Sequence, residues 1–509
     1  MVMGESLLST LLRNAQPDQV VLSTLTDSYT LEQIHVAAQN LVAKIKESGT
    51  DILALYADNG PAWVIADLAC QTTDTCLLPV PTFFTVEQTR VVLRHCQATF
   101  ILVDNPASIA PALLNPVGEP DPAFGLQLFT ADIDRTEKPL IPPGTGKITF
   151  TSGSSGDPKG VCLSNSQLLL QAKALGDEVA LKAPRHLCLL PLSTLLENVA
   201  GVYAPLLADG EVIVPSMTDM GYEGSRMITP GKLLGTITRT APETIILIPE
   251  LLKLLVASAR QGWPVPDSFR FIAVGGSKVG SALIEEAWSL GFPVYEGYGL
   301  SECASVVSLN TPRQRHDGSC GKPLPHLEVN ERKGEIIVSG NTMLGYVNRP
   351  ESWHQDSIRT GDLGSMDDEG FLHLSGRSKN ILISSYGRNI SPEWPESELL
   401  ANPLLQNAVV FGDAMPYCVA LLSPVKPGIE DTLIQQWIDN VNIRLPDYAR
   451  IRKWHRLQTP LAMMSGMLTD NGRPRRAVIA MHFADVIDSL YASEQSAAMT
   501  EKNKEEICL

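Results

Sequence analysis

TFTSGSSGDPKG, at residues 149–160, is the stretch of this sequence that decides its fold. It overlaps the apolar run KITF and is rich in serine, threonine and glycine, whose backbone N–H groups and hydroxyls can converge on an anion. Gly153, Gly156 and Gly160 let the backbone approach a ligand closely, and Lys159 adds a positive charge. The stretch predicts a phosphate-binding loop after a strand, with a flexible Ser/Gly linker as the alternative.

The spacing within this loop differs from other well-known nucleotide motifs. A Walker A loop needs lysine directly after its second glycine, whereas Lys159 follows Gly156 by three residues and precedes Gly160. The glycines at residues 275–280 do not match the dinucleotide fingerprint GxGxxG. Neither the nucleophile-elbow pattern GxSxG nor the zinc motif HExxH occurs. Four common enzyme classes are therefore disfavoured.

Bulk composition favours a large, acidic enzyme with more than one lobe. The chain has 509 residues, of which 44% are hydrophobic and 19% charged, too much chain for a single core. The formal net charge of -16 disfavours a nucleic-acid partner, because affinity for phosphate backbones needs clustered lysine and arginine. We expect a small-molecule substrate.

Cysteine usage and hydropathy favour a cytoplasmic setting. The nine cysteines are scattered and form no CxxC pair, so we expect neither a disulfide framework nor a zinc knuckle. The start of the chain lacks a signal-peptide pattern, and the richest apolar stretch, residues 245–259, is broken by Pro249, Glu250 and Lys253. We therefore expect no transmembrane segment, and peripheral membrane contact stays open.

Hydrophobic periodicity predicts an α/β fold. LEQIHVAAQNLVAKIKES and PAWVIADLACQTT have helical spacing, and DILALYA between them is typical of a buried strand. The alternation, resumed by TIILIPE, FRFIAVGG and PVYEGYG, predicts a largely parallel sheet covered by helices. After residue 334, short runs such as GEIIVSG, with DDEG as a hairpin turn, predict a small β-rich subdomain. Mixed helix and strand signals follow Gly376. The polar last segment, SEQSAAMTEKNKEEICL, is typical of a solvated tail.

TFTSGSSGDPKG resembles the signature loop of the adenylate-forming superfamily, which includes acyl-CoA synthetases, luciferase-like ligases and peptide-synthetase adenylation domains. Four further motifs follow in the family's order and cover nearly the whole chain. The resemblance implies a large lobe at residues 1–378, a small mobile α+β lobe at 379–490 and a tail at 491–509. It also implies that Lys159 is catalytic and that the loop contacts the nucleotide through Thr151, Ser152, Gly153, Ser154, Ser155 and Gly156.

YEGYGLSEC, residues 295–303, is similar to the family's adenine and magnesium motif. The resemblance implies that Tyr298 and Gly299 contact the nucleotide, that Ser301 faces the α-phosphate and that Glu302 holds Mg²⁺, a cation that prefers oxygen ligands. Taken alone, Tyr298 and Glu302 would more often be a packed aromatic and a surface charge.

Two segments resemble parts of the family that flank the adenine and the acyl group. AVGGSKVG, residues 273–280, implies nucleotide contacts at Gly276 and Ser277 and an acyl contact at Gly275. LPLSTLLENVAGVY, residues 190–203, resembles the acyl-pocket segment of fatty-acid ligases, with Thr194 where they commonly have histidine and with Glu197 as a further pocket residue. The alternatives are a Gly-rich turn and ordinary helix packing.

RTGDLG, residues 359–364, and LSGRSKNILISSYGRNISPEW resemble the ribose motif and the hinge. The resemblance implies that Asp362 binds the ribose hydroxyls, that Arg377 contacts the nucleotide and that Lys379 is the hinge. A turn-forming aspartate is the alternative for Asp362. The implied mechanism has two steps, since the small lobe would rotate between attack of the acid on ATP and attack of a thiol on the acyl-adenylate.

One motif departs from the family pattern. LTDNGRPRR, residues 468–476, carries Arg473 where the family has a catalytic lysine, and a planar guanidinium differs in shape from an ammonium. We interpret Arg473 as catalytic in lysine's stead.

The sequence thus predicts an ATP- and Mg²⁺-dependent ligase that activates a carboxylic acid, a medium- or long-chain fatty acid being preferred, and transfers it to CoA. Two alternatives remain. One is a ligase that loads an acyl carrier protein or another acceptor, and the other is a nucleotide-binding relative whose catalysis is impaired by Arg473.

Overall fold

The computed structural model describes residues 6–73, 75–105, 114–117, 125–134, 137–151, 159–224, 226–385, 388–469 and 472–491. The chain forms two structural units. Unit 1 comprises Met1–Gly276, Ala287–Thr360 and Met366–His373, and unit 2 comprises Ser277–Glu286, Gly361–Ser365 and Leu374–Leu509. The lobe boundary expected after residue 378 stays a prediction.

The strands, in chain order, are β1 (Val20–Ser23), β2 (Ser28–Thr30), β3 (Ile52–Tyr56), β4 (Cys76–Pro79), β5 (Phe100–Val103), β6 (Leu114–Val117), β7 (Gln127–Ala131), β8 (Lys147–Thr151), β9 (Lys159–Leu163), β10 (Arg185–Leu187), β11 (Glu211–Ile213), β12 (Tyr222–Glu223), β13 (Arg226–Met227), β14 (Thr244–Leu247), β15 (Phe271–Val274), β16 (Val294–Leu300), β17 (Ser305–Leu309), β18 (Lys322–Pro323), β19 (Leu327–Arg332), β20 (Glu335–Gly340), β21 (Gly345–Tyr346), β22 (Ser357–Met366), β23 (Leu372–Arg377), β24 (Leu382–Ile383), β25 (Asn389–Ile390), β26 (Leu405–Phe411), β27 (Cys418–Pro424) and β28 (Ile451–Arg456).

The α-helices are α1 (Leu7–Asn14), α2 (Leu31–Ser48), α3 (Pro61–Gln71), α4 (Val86–Cys96), α5 (Asn165–Val179), α6 (Ala204–Leu207), α7 (Pro230–Thr240), α8 (Pro249–Arg260), α9 (Ser281–Ser289), α10 (Glu393–Leu400), α11 (Asp431–Arg444) and α12 (Arg476–His482). Among the described residues, no helix is both long and apolar enough to cross a membrane.

Local sequence explains where the predicted helix α2 begins and ends. Thr30 accepts a hydrogen bond from the backbone of Gln33, whose side chain binds the backbone of Thr30 in return, and this capping box satisfies two free donors. Gly49 ends the helix in the left-handed region, at φ 63°. The predicted range is therefore confirmed at both ends.

Unit 1 is built on two large sheets, where the alternating pattern predicted a largely parallel sheet covered by helices. The first has strand order β18-β17-β16-β15-β14-β10-β11-β1-β2, and the second β21-β9-β8-β4-β3-β5-β7-β6. The strands from β14 to β16 pair in parallel, as do β3 with β4 and β5. Helices between them cover apolar faces, which confirms an α/β fold.

The β-rich segment predicted from residue 334 forms, and it begins slightly earlier, with β19. β19, β20, β22 and β23 make a four-stranded sheet, and β22 and β23 carry the chain between the two units. Asp367 begins the DDEG turn, where the backbone N–H of Asp367 binds Phe371 O at 3.0 Å. Unit 2 contains the sheet β26-β27-β28, whose apolar face packs on α11.

The segment after Thr194 is a π-helix, Glu197–Tyr203, in place of an ordinary helical turn. Glu197 and Tyr203 are both buried, and α6 continues from Ala204. Gly201 is required here, because a Cβ would lie 2.4 Å from Glu197 Oε1 and 2.8 Å from His186 Nε2. Single π-turns inside helices are frequent at functional sites.

A buried ion pair joins β8 to the π-helix and to α3. Lys147, 1% exposed, places its Nζ 2.8 Å from Asp67 Oδ1 and 2.5 Å from Asn198 Oδ1. Tyr203 donates to Asp67 Oδ2 at 2.6 Å and accepts from Gln71 at 2.7 Å. The network satisfies a lysine and a carboxylate that would otherwise be very costly to bury.

Candidate functional site

The ends of the predicted phosphate loop are fixed by a β-hairpin. β8 pairs with β9 in antiparallel fashion, and Thr151 lies opposite Lys159 in the register. Ser152–Gly156 in the prediction fall outside the described residues. The hairpin therefore holds Lys159 at the first position of a strand whose remaining residues, Gly160 to Leu163, are buried.

The YEGYGLSEC motif forms β16 and a short 3₁₀ turn, Ser301–Cys303. Tyr298 is buried, and a Cβ on Gly299 would lie 1.8 Å from Ser305 O, so only glycine fits at the bulge between β16 and β17. Ala304 and Ser305, directly after the turn, both have positive φ, at 56° and 106°. Such backbone strain clusters at functional sites, and here it lies beside Glu302.

Tyr346 connects Lys159 to Glu302. Its hydroxyl donates to Glu302 Oε1 at 2.8 Å, and Lys159 Nζ lies 5.1 Å from the centre of its ring. The pKa of Tyr346 is raised, mainly by burial and also by the neighbouring Glu302 carboxylate. The hydroxyl therefore stays protonated and keeps donating. Two predicted catalytic residues thus share one aromatic neighbour that the sequence did not single out.

Strand pairing positions Tyr346. β21 pairs with the edge of β9, with Tyr346 opposite Val161, and the backbone N–H of Val347 binds Gly160 O at 2.9 Å. Three residues before Tyr346, the backbone N–H of Met343 binds Glu302 O at 2.7 Å. The segment 343–347 therefore ties the hairpin to the 3₁₀ turn.

The AVGG turn lies beside β16. A Cβ on Gly275 would lie 3.0 Å from Gly297 O, so glycine permits a close approach of the two backbones. Gly276 has a φ of +84°, which also favours glycine. The glycines of this turn are explained by backbone geometry, and the nucleotide and acyl contacts predicted at Gly275 and Gly276 stay predictions.

An apolar cavity lies against the strands that lead to this turn. Its lining comes from α5, the π-helix, α6, β14, β15 and β17, and includes Leu175, Leu196, Ile246, Phe271, Val306 and Leu309. His186 and Thr244 supply the polar side chains among the described lining residues, and His186 Nδ1 lies 2.9 Å from Thr244 Oγ1. The cavity can therefore accommodate an apolar group but offers little to a charged one.

The two predicted acyl-pocket residues of the LPLSTLLEN segment have polar partners of their own. Thr194 donates to Pro191 O at 2.6 Å, and Glu197, fully buried, accepts from His186 Nε2 at 3.0 Å and from the backbone of Leu190 at 3.2 Å. Leu196, adjacent to Glu197, lines the cavity. The segment thus supplies the cavity wall through an apolar neighbour, and the pocket roles of Thr194 and Glu197 stay predictions.

Unit 2 carries the predicted ribose and hinge residues. Asp362 is buried, and its Oδ1 lies 2.6 Å from Arg377 Nε, so these two residues form an ion pair. Lys379 is exposed in the turn that follows β23, and Ser277 is exposed after the AVGG turn. The structure thus brings Asp362 and Arg377 together, and the nucleotide role predicted for each of them stays a prediction.

Arg473 occupies an exposed turn of unit 2. Its backbone N–H binds Thr469 Oγ1 at 3.1 Å, its carbonyl accepts from the backbone of Thr469 at 2.8 Å, and Gly472 has a φ of 73°. Arg476, three residues on, forms a buried ion pair with Glu396 at 2.7 Å that anchors the turn's far end. The turn therefore holds the backbone of Arg473 opposite Thr469 and leaves residue 473 exposed.

Comparison with known families decides what this site belongs to. Residues 13–347 match the family model of the AMP-binding enzyme, and residues 379–495 match that of the AMP-binding enzyme C-terminal domain. The chain belongs to the AMP-binding enzyme family. The predicted membership of the adenylate-forming superfamily is confirmed, and the protein is an AMP-forming ligase.

Two relatives of this AMP-binding enzyme illustrate the range of substrates in the family. A long-chain-fatty-acid–CoA ligase of Mycobacterium bovis is 26% identical, over 94% of this chain and 95% of its own. A 2-succinylbenzoate–CoA ligase of Bacillus velezensis is 28% identical, over 80% of this chain and 85% of its own. The matches span both units and leave the substrate open.

Solved structures share the fold of this AMP-binding enzyme. The anthranilate CoA ligase AuaEII in complex with anthranoyl-AMP has a TM-score of 0.76 at 17% identity and covers 95% of this chain and 98% of its own. The O-succinylbenzoate CoA synthetase of Bacillus subtilis with ATP and magnesium has a TM-score of 0.72 at 23% identity, covering 93% and 98%. The predicted fold class is confirmed.

Proposed function

We propose that this enzyme activates an aliphatic carboxylic acid with ATP and transfers the acyl group to CoA. The apolar cavity is the observation that carries the choice of acid. Its described lining contains no lysine or arginine, and the histidine and threonine in it bind each other, so a second carboxylate would find no partner there. A hydrocarbon chain gains free energy from every methylene that it buries. This favours a fatty acid over 2-succinylbenzoate, and the fatty-acid ligase among the relatives supports the same choice.

The first half-reaction joins the acid to AMP. A carboxylate oxygen attacks the α-phosphorus of ATP, the bond from that phosphorus to pyrophosphate breaks, and an acyl-adenylate forms. Lys159 would neutralise phosphate charge, and Glu302 offers the oxygen donor that suits Mg²⁺, which supplies further charge neutralisation when bound. Tyr346 fixes the Glu302 carboxylate and lies under the Lys159 ammonium. These contacts support binding of magnesium and phosphate by one cluster.

The second half-reaction transfers the acyl group to a thiol. The thiol sulfur attacks the acyl carbon, AMP leaves, and the thiol proton passes to solvent. CoA is the proposed acceptor because both the relatives named above use it. We further propose Asp362 and Arg377 as nucleotide contacts and Lys379 as the hinge.

Pyrophosphate release on a panel of fatty, aromatic and dicarboxylic acids, with and without CoA, tests this function. We expect release with fatty acids and thioester formation only when CoA is present. Release without thioester would instead indicate a carrier protein or another acceptor. No release with any acid, despite measurable ATP binding, would contradict the proposed activity.

Filling the cavity is expected to shorten the preferred acid. Gly176 lies on α5 and lines the cavity, and a Cβ there would make an ordinary contact of 3.6 Å with Ala204 O. We expect Gly176→Leu to lower kcat/KM for the longest good substrate, relative to the shortest, by about tenfold or more. The control is Gly235→Leu on the exposed face of α7, where a Cβ meets nothing within 4 Å. An unchanged ratio in Gly176→Leu would contradict the assignment of the cavity.

Removing the Tyr346 hydroxyl is expected to lower the rate and to raise the Mg²⁺ concentration that the enzyme requires. Tyr346→Phe keeps the ring under Lys159 but loses the hydrogen bond to Glu302, worth about 1.5 to 3 kcal/mol for a charged acceptor. We expect a roughly tenfold or larger fall in kcat/KM for pyrophosphate release and a higher Mg²⁺ requirement. Tyr448→Phe, at an exposed tyrosine of unit 2, is the control. Equal rates in the two variants would rule out the positioning role.

Arg473 is expected to act in the first half-reaction. Arg473→Ala removes an exposed cation from this turn, and we expect pyrophosphate release to fall by about 10²-fold, the scale found for one lost transition-state donor. Arg475→Ala, at an exposed arginine in the same turn, is the matched control. Parental rates of pyrophosphate release in Arg473→Ala would show that this residue does not replace the family's lysine.

A further inference from the structure

Two histidines and an aspartate meet at the surface of unit 1. His316, Asp367 and His373 each offer one ligand atom, and these atoms all lie within 4.8 Å of one another. His373 Nε2 lies 2.8 Å from Asp367 Oδ2, and the rings of His316 and His373 are 5.3 Å apart, edge to face. None of the three belongs to the adenylation motifs, so the cluster needs an explanation of its own.

The backbone holds both sides of this cluster in place. Asp367 Oδ1 accepts hydrogen bonds from the backbone of Glu369 at 3.0 Å and Phe371 at 2.8 Å, which leaves Oδ2 directed at His373. The backbone N–H of His316 donates to Asn310 Oδ1 at 3.0 Å. The two hydrogen bonds to Asp367 Oδ1 orient that carboxylate before an ion arrives, as the partners of ligating carboxylates do in known metal sites.

We propose that His316, Asp367 and His373 form a binding site for a divalent transition metal, with Zn²⁺ as the ion that suits them best. Imidazole nitrogen and carboxylate oxygen are common zinc ligands, and three protein ligands leave a fourth position for water. Mg²⁺ prefers oxygen ligands, so the magnesium used with ATP would not compete here. The proposal is independent of the proposed function of the enzyme.

Exposure distinguishes this cluster from the other histidine-containing group in the described residues. His186, Cys188 and Glu197 also lie close together, but all three are buried and already hydrogen-bonded within the core. In contrast, the side chains of His373 and Asp367 are 32% and 29% exposed, so an ion can reach them from solvent. The cations nearby have other partners, since Arg315 pairs with Asp317 and Lys322 lies over Phe371.

Isothermal titration calorimetry of the whole chain with Zn²⁺ alone tests the site. We expect His316→Ala and His373→Ala each to weaken the tightest binding event by at least about tenfold. Asp367→Asn keeps an oxygen for the backbone hydrogen bonds of the turn but removes the charge, and should weaken binding as well. Replacing the histidines separately guards against misfolding of either variant, which circular dichroism would detect. With Co²⁺ in place of Zn²⁺, a visible absorption band should appear in the parent and disappear in both histidine variants.

The matched control is His35→Ala, which removes a histidine from the second turn of α2, outside the cluster. We expect it to bind Zn²⁺ as the parent does. If the three cluster variants bound Zn²⁺ as tightly as His35→Ala, or if the parent bound no zinc, the proposed site would be overturned.

Discussion

Glu302→Gln is expected to lower kcat/KM for pyrophosphate release by about 10²- to 10³-fold, the scale of losing one electrostatic contact to the transition state. The glutamine keeps the backbone carbonyl that binds Met343 and an oxygen for the Tyr346 hydroxyl. It lacks the charge that attracts Mg²⁺. The variant should therefore fold normally and require more Mg²⁺ for half-maximal rate, which a magnesium titration at saturating ATP measures.

The matched control for this prediction is Glu328→Gln, at an exposed position of β19. It removes the same charge from the chain without touching the Lys159–Tyr346–Glu302 cluster. If Glu328→Gln and Glu302→Gln had the same rate and the same magnesium dependence, Glu302 would not be the metal ligand.

Lys147→Met is expected to lower the free energy of unfolding by about 3 to 5 kcal/mol. The change removes the cation that balances Asp67, a carboxylate only 2% exposed at its side chain, and leaves that charge buried with only neutral donors. Urea unfolding, monitored by circular dichroism, measures the decrease in the free energy of unfolding. Activity should fall only as far as the folded fraction falls.

A second substitution separates this explanation from simple loss of packing. The double variant Lys147→Met/Asp67→Leu removes both charges, and we expect it to be more stable than Lys147→Met alone because no uncompensated ion remains. Lys138→Met is the surface control, since Lys138 pairs with Asp51 at 2.5 Å but is 80% exposed, and it should change stability by less than about 1 kcal/mol. A double variant less stable than Lys147→Met would contradict the charge argument.

Local patterns predicted several elements of the fold. The range of α2 followed from its apolar spacing, its threonine cap and Gly49, all of which act within a few residues. The DDEG turn followed from the same kind of local chemistry. The π-helix at Glu197–Tyr203 could not be predicted, because its backbone register leaves no periodic signal distinct from that of an α-helix and depends on the close packing of Gly201 against the Glu197 and His186 side chains.

The candidate site could be predicted only in part, because short motifs contain some of its residues and strand pairing brings in others. Lys159 and Glu302 belong to motifs that resemble a known family, whereas Tyr346 joins them only through the pairing of β21 with β9. The sequence around Lys147 predicted only the start of a strand. Its buried ion pair could not be predicted, because its partner Asp67 comes from a helix 80 residues earlier. Contacts across such separations depend on the whole fold, and no short window of sequence contains them.

The late arrival of β21 has a consequence for protein synthesis. Its two residues cover the edge of β9, yet they lie about 180 residues further along the chain. At a translation rate of about 5 to 20 residues per second, that edge stays open on the ribosome for roughly 10 to 40 seconds. An uncovered strand edge can pair with another nascent chain, so this interval is when the polypeptide most needs a chaperone.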